Sequence, residues 1–303
     1  MKNGRKIEET IESKKNKRKL KSIIAPALSM VGPISFWMVV FVIVPLIYIG
    51  FISFMTRGTY GGIVYKFTLI NYITIFDPLY FKVICNSIKI ALTSSLICIL
   101  IGYPFAYYLA NQPSEKRGLL IMLIMIPFWT SSLVRTYSWV ILLHASGIVN
   151  KFLMTIGAIS SPLQLLYNDY AVTVGIVYIL LPFAILPLYT SIEKLDKSLI
   201  EASNDLGAKP YKTFIKVTLP LTSSGIFASV ILTFIPSLGY YFTADILGGG
   251  KTLMIGNLIK NQFTSAKNWP FGAAISLVLI AITLIVLYLY SRVGDLDDLG
   301  GAK

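Results

Sequence analysis

Residues 23–52 read IIAPALSMVGPISFWMVVFVIVPLIYIGFI, thirty consecutive positions without a charged side chain. A helix crosses bilayer hydrocarbon with about 20 mostly apolar residues. This stretch therefore spans with length to spare, enough to tilt or to kink at Pro33 and Pro45. A cleaved leader fits it poorly. The run follows a long polar tail, exceeds the length of a signal-peptide apolar region, and is not followed by an A-x-A-like site. It is expected to be a retained first span.

Five further stretches extend the pattern. Residues 90–110, 170–192, 218–244 and 268–291 are uncharged, and 119–143 is interrupted only by Arg135. Composition agrees: 55% of the 303 residues are hydrophobic, only 14% are charged, and mean hydropathy is +0.71. Water-soluble domains carry roughly 25% charged residues, so the bilayer is the expected solvent. The expected fold is all-α, a polytopic membrane bundle of about six spans at 23–292, flanked by a basic tail at 1–22 and a short tail at 293–303.

The net charge of +13 is concentrated where a membrane protein anchors itself. Residues 1–22 hold Lys2, Arg5, Lys6, Lys14, Lys15, Lys17, Arg18, Lys19 and Lys21 against three Glu, directly before the first span. No basic stripe interleaved with aromatics exists, so nucleic acid is not an expected partner, whereas membrane lipid is. With the N-terminus inside, the tails and the loops holding Lys116, Arg117, Lys194, Lys197, Lys209, Lys212 and Lys216 carry eighteen basic residues. The outer loops carry seven: Arg57, Lys66, Lys82, Lys151, Lys251, Lys260 and Lys267. This bias places both termini in the cytoplasm, across a plasma or inner membrane.

The least membrane-like internal segment is 193–220. Ile192, Leu195, Leu199, Ala202 and Leu206 recur at spacings of three and four, one face of a helix. Gly207 can end that helix in a left-handed turn, and Pro210 suits the first turn of another. Two short helices meeting at a bend are expected. Their apolar stripe needs a cover, either a partner protein or the lipid surface.

Glu201-Ala202-Ser203, with Gly207 four residues beyond and then Ile215 and Leu219-Pro220, resembles the coupling loop of ABC importer permeases. That pattern is Glu-Ala-Ala, Gly, Ile and Leu-Pro, so Ser203 is a small-for-small departure. The likeness continues in Asp77-Pro78-Leu79-Tyr80-Phe81, Pro127-Phe128-Trp129-Thr130 and Leu180-Leu181-Pro182-Phe183. It also holds in Ser191-Ile192-Glu193-Lys194-Leu195-Asp196-Lys197 and Trp269-Pro270-Phe271-Gly272-Ala273-Ala274. These segments are similar to the permeases of bacterial spermidine/putrescine importers, specifically those of the B type. The resemblance implies a type I permease fold and a loop of Glu201, Ala202, Ser203, Leu206, Gly207, Pro210, Ile215, Leu219 and Pro220 docking on a cytoplasmic ATPase dimer. It further implies a second, homologous permease subunit and an extracytoplasmic polyamine-binding protein.

No cofactor is expected in this chain. Gly248-Gly249-Gly250-Lys251-Thr252 looks like the end of a phosphate-binding loop, but Asp245 stands where the first Gly belongs. ATP is thus assigned to the partner subunit, and the chain is read as a transport subunit rather than an enzyme. Cys85 and Cys98 read as small packing residues, since no Cys/His cluster surrounds them.

A polyamine path should offer carboxylates and aromatic faces. Trp129, Tyr240, Tyr241 and Asp245 are the candidates, with an interfacial aromatic belt as the other reading of the two tyrosines. Arg135 repels a polycation, so it is expected to pair with a carboxylate or a carbonyl, or to snorkel to the interface. The lone His144 reads as interfacial. A permease for iron or an anion is the nearest rival, and a secondary transporter is disfavoured because no span holds an acidic residue well inside it.

Overall fold

The computed structural model describes residues 32–300, with side chains through Arg292. The basic tail at 1–22 and the beginning of the first span lie outside the described residues. Helix α1, Gly32–Ser53, leads into a small hairpin, β1 Met55–Arg57 and β2 Ile63–Phe67, which is the one departure from all-α among the described residues. Arg57 Nη2 donates to the Ala266 carbonyl at 2.7 Å, and the Gly62 amide donates to Lys267 at 2.9 Å, so the hairpin is pinned to a distant loop.

After the short helix α2, Ile70–Ile75, comes α3, Pro78–Ala110, which is 33 residues long. It starts twelve residues before the apolar stretch that marked it, because Asp77 caps it and Pro78 opens its first turn. Lys82 and Lys89 interrupt the hydropathy there without interrupting the helix. The remaining elements are α4 Ser114–Trp129 (its last turn tightened), α5 Ser132–Leu143, α6 Ile148–Thr155 and α7 Asp169–Glu193. They are followed by α8 Lys197–Asp205, α9 Pro210–Leu221, α10 Ser223–Gly239, α11 Tyr241–Gly248, α12 Ile255–Thr264 and α13 Trp269–Gly300.

Among the described residues, four helices (α1, α3, α7 and α13) are long and apolar enough to cross a membrane, and counting each of two bent pairs as one span gives up to six. The expected span at 119–143 is one of those pairs. It breaks by 89° between Trp129 and Ser132, where Thr130 turns extended after Pro127 and Ser131 caps the next helix. The expected span at 218–244 is broken twice: by 66° at Thr222, then again at Tyr240. The expected tail at 293–303 is helical up to Gly300, a continuation of α13.

Two wide turns share one cause. In α1 the turn Val39–Ile43 is π-helical and Val44 donates back to Val39; in α9 the turn Phe214–Thr218 is π-helical and Leu219 donates to Phe214. Each ends two residues before a proline, Pro45 and Pro220. A proline ring clashes with the carbonyl four residues back, and widening the preceding turn relieves that clash without unwinding the helix.

The core runs along α3, α7 and α10. At one end Val83, Ile84 and Ala91 pack with Phe234, Leu238, Ile255 and Phe271; at the other Tyr103, Ala106 and Leu109 pack with Ile185, Leu188 and Ile192. Lipid tails are as apolar as leucine, so helix association here relies on close backbone approach and interhelical hydrogen bonds. Ser229 Oγ donates across to the Ala184 carbonyl at 2.9 Å. A Cβ on Gly225 would stand 2.4 Å from the Ser191 Cβ and 2.9 Å from the Pro187 oxygen. Gly225→Ala should therefore push α10 off α7 and cost roughly 1–3 kcal/mol, the usual penalty of overpacking. Thermal unfolding of the detergent-purified chain tests this against Gly50→Ala, whose site is open. Equal melting of both variants would contradict the packing described.

Candidate coupling and translocation sites

The 193–220 segment begins with a break the periodicity did not show. The α7 helix ends at Glu193, and Asp196 caps α8 by accepting from the Ser198 amide at 2.9 Å. That bond, joined by the Ser198 hydroxyl, holds the Asp196 carboxyl below the usual carboxylate range. The apolar stripe is thereby divided between two helices. Ile192 is buried in the bundle and Leu195 is half-buried, whereas Leu199, Ala202 and Leu206 are exposed.

Gly207 takes φ +78° and closes α8, with its amide on Asn204 and that of Ala208 on Ser203. Pro210 opens α9, as expected. The Ser203 and Thr213 hydroxyls pair at 2.9 Å, tying α8 to α9 across the bend. The family pattern has Ala at this position, so the serine supplies a tie that alanine lacks. Glu201, Pro220 and Ile215 are exposed, and Leu219 is half-buried. Leu206 (89% exposed), Tyr211 (58%) and Ile215 (56%) form an uncovered apolar surface.

Three contacts carry this segment into the bundle. Thr222, at the break between α9 and α10, pairs its hydroxyl with that of Tyr103 on α3 at 2.8 Å. Tyr103 also meets Phe214 edge-on, with ring centroids 5.5 Å apart. Arg117, at the start of α4, forms an ion pair with Glu193 at the end of α7.

At the opposite end of α7, the expected path residues cluster in part. Tyr240 is half-buried between α10 and α11, and Tyr241 and Phe242 follow around an open cavity of about 330 Å³ bordered by Pro236 and Gly239. Asp245 lies one turn on, but it is not a free carboxylate. Asn257 Nδ2 donates to its Oδ1 at 2.5 Å, and Lys260 Nζ lies 2.7 Å from its Oδ2. The same ammonium stands 5.8 Å from the Tyr241 ring centre. Asp245 raises the Lys260 pKa above the ordinary lysine value by hydrogen bond and by charge. On the alkaline side, the lysine's share of the pair is thus undiminished up to that ordinary value and fades only as pH rises beyond it.

Trp129 sits on a different element, 82% exposed at the break between α4 and α5. The α5 helix packs against α11, so the two broken spans touch. Arg135 differs from expectation. Its guanidinium lies 4.8 Å from the Phe128 ring centre, with Nε buried and without a hydrogen-bond partner among the described residues. The 89° break folds Phe128 back over the first turn of α5, and a cation over a ring face stands where a carboxylate or a carbonyl was expected. His144 Nδ1 bonds only locally, to Ser146 Oγ at 2.9 Å.

Gly248–Thr252 follows a helix rather than a strand, and Thr252 Oγ1 donates to Asp169 at 2.6 Å, closing the loop onto α7. Cys98 is buried in the core as expected, but Cys85 is exposed. Lys260 and Asn257 were not distinguished by sequence. They share a face of α12 by their three-residue spacing, but no local pattern links them to a carboxylate twelve and fifteen residues earlier.

Residues 99–294 match the family described as binding-protein-dependent transport system inner membrane component. The chain belongs to that family. It is a multi-pass membrane permease of the ABC importer type, a transport component rather than an enzyme. It is 45% identical over 267 residues to the spermidine/putrescine transport system permease protein PotB of Escherichia coli (strain K12), covering 88% of this chain and 97% of that one. The corresponding protein of Haemophilus influenzae is 42% identical over 86% of this chain and 91% of its own. A chain of a bacterial alginate ABC transporter, solved in complex with an alginate pentasaccharide-bound periplasmic protein, shares the fold. It matches with a TM-score of 0.73 at 17% identity, over 90% of this chain and 95% of that one. As the family's description states, its membrane components work in binding-protein-dependent systems, and ABC importers couple such components to an ATPase.

The Ser203–Thr213 tie is open to a double-mutant cycle. Ser203→Ala should cost about 1 kcal/mol locally, speeding amide exchange at residues 205–213 by roughly fivefold. Thr213→Val should match it, and the double variant should add nothing further. Additive losses would show that the hydroxyls act separately.

Proposed function

We propose that this chain is a permease subunit of an ATP-driven polyamine importer, taking spermidine or putrescine from an extracytoplasmic binding protein by alternating access. The observation that carries the substrate class is the arrangement at Asp245. A carboxylate and an aromatic ring there already hold a primary ammonium, that of Lys260, the same group a polyamine presents at each end. The 42–45% identity to permeases named for spermidine and putrescine supports the same reading. Tyr240, Tyr241 and Trp129 complete the aromatic side of the path. A substrate ammonium exchanges with Lys260 at Asp245 at little cost, because one cation replaces another.

The uncovered surface of Leu206, Tyr211 and Ile215 is the docking face for one subunit of a cytoplasmic ATPase dimer, and a second homologous permease completes the path. ATP is bound by the ATPase, and both termini lie in the cytoplasm of a bacterial cell, in keeping with the lysine and arginine bias of the loops. Movement of α8 and α9 reaches the bundle through Thr222 and Tyr103.

Two measurements test this. Asp245→Asn should lower uptake of labelled spermidine at limiting substrate by roughly ten- to a hundredfold, the value of one charge-assisted contact, with the assembly still intact. Unchanged uptake would remove Asp245 from the path. Leu206→Asp should abolish co-purification of the ATPase subunit with the tagged chain while leaving the permease folded; full recovery of the ATPase would remove α8 and α9 as its dock.

A further inference from the structure

A recess of about 490 Å³ opens at the end of the bundle opposite the 193–222 segment, lined by Lys82, Asn86 and Lys89 of α3, Asp169 of α7, and Lys251. Among the described residues, none of the three ammonium groups has an ion-pair or hydrogen-bond partner. The one carboxylate is already engaged, accepting from Thr252. Three lysines without partners and one carboxylate line this one concavity, a net positive charge that suits an anion.

The helix face below the recess narrows the choice of anion. Lys82, Cys85 and Lys89 continue at helical spacing into Leu92, Leu96 and Leu100, which are 53%, 58% and 63% exposed. Lys89 directly precedes the 21 uncharged residues 90–110, a length of roughly 30 Å and hence one hydrocarbon thickness. It therefore stands at the boundary between acyl chains and headgroups, and Lys82 stands about 10 Å higher, within the headgroup layer. An inorganic anion would need the lysines alone; an amphiphile uses the lysines and the leucine stripe together.

We infer that this recess binds an anionic phospholipid. The phosphodiester lies among Lys82, Lys89 and Lys251, Asn86 donates to the headgroup, and an acyl chain follows Leu92, Leu96 and Leu100. Lysine heads at this depth each contribute attraction to anionic lipid on the scale known for basic residues at membrane surfaces. A zwitterionic lipid carries the same phosphate with a compensating cation, and so binds more weakly.

The test uses the full chain purified with its companion subunits. Cys85 lies exposed in the recess while Cys98 is buried, so maleimide reports on Cys85. In phosphatidylcholine nanodiscs, added phosphatidylglycerol should slow Cys85 labelling and raise the melting temperature. The variant Lys82→Gln/Lys89→Gln/Lys251→Gln should need at least tenfold more phosphatidylglycerol for the same melting shift. Glycerol phosphate, the head without tails, should do neither at equal concentration. Equal responses to phosphatidylglycerol and phosphatidylcholine in the wild-type chain would overturn the proposal. So would an equal response in the lysine variant, protection by glycerol phosphate, or cross-linking of Lys82 or Lys89 to a companion subunit.

Discussion

The geometry of the chain turns on Thr222. A span that entered the bundle straight would carry the 193–220 segment away from α3; the 66° break at Thr222 instead turns α9 across the end of the bundle. Three features hold that break. Pro220 removes an amide, the wide turn Phe214–Thr218 absorbs the resulting misfit, and the Thr222 hydroxyl donates to the Thr218 carbonyl at 2.8 Å while pairing with Tyr103. One hydroxyl pair contributes only about 1 kcal/mol. Its consequence for the fold is larger than its energy, because it sets the angle at which a lever leaves its pivot. Ser203–Thr213 at the far end of the lever and Arg117–Glu193 beside it keep the other joints from flexing independently. Displacement of α8 is then transmitted to α10 and α3 rather than dissipated at the bends.

Proline has a similar role on a wider scale. The described spans contain Pro45, Pro104, Pro182, Pro187, Pro220 and Pro236, and each frees a carbonyl that lipid cannot satisfy. The structure meets this cost locally, with widened turns before Pro45 and Pro220, while α10 is held to α7 by the Ser229 hydroxyl on the Ala184 carbonyl and by the close approach at Gly225. Where α7 and α10 meet through such small-residue contacts, the helices can slide without opening large cavities. Alternating access needs that property.

Hydropathy marked the four long spans and the two stretches that prove to be bent pairs, and Gly207 and Pro210 placed the bend in the coupling segment by backbone chemistry that is local. The breaks were less legible. Pro127 and Pro220 signal a disturbance, but whether a proline kinks, widens or severs a helix depends on partners such as Tyr103, which lies 119 residues from Thr222. The helical periodicity from Ile192 to Leu206 suggested one helix because Asp196 falls on its polar side, where a cap and a surface carboxylate look alike. Asp245 was found by its residue type beside two tyrosines. The ammonium that holds it was not, because the contact closes only through the α11–α12 turn and Asn257.

Charge connects α11 with the recess beyond it. Asp245 lies in the middle of α11, already paired with Lys260, and Lys251 follows three residues after its end, lining the recess with Lys82, Lys89 and Asp169. Left uncovered, three ammonium groups would oppose the approach of a polycation over the distance of a Debye length, about 8 Å at physiological salt, and farther along low-dielectric walls. A phosphodiester seated among them, together with Asp169, leaves one of the three positive charges uncompensated and so weakens that opposition. On the proposed path through Asp245, the proposed lipid would act as an electrostatic component without entering the path itself.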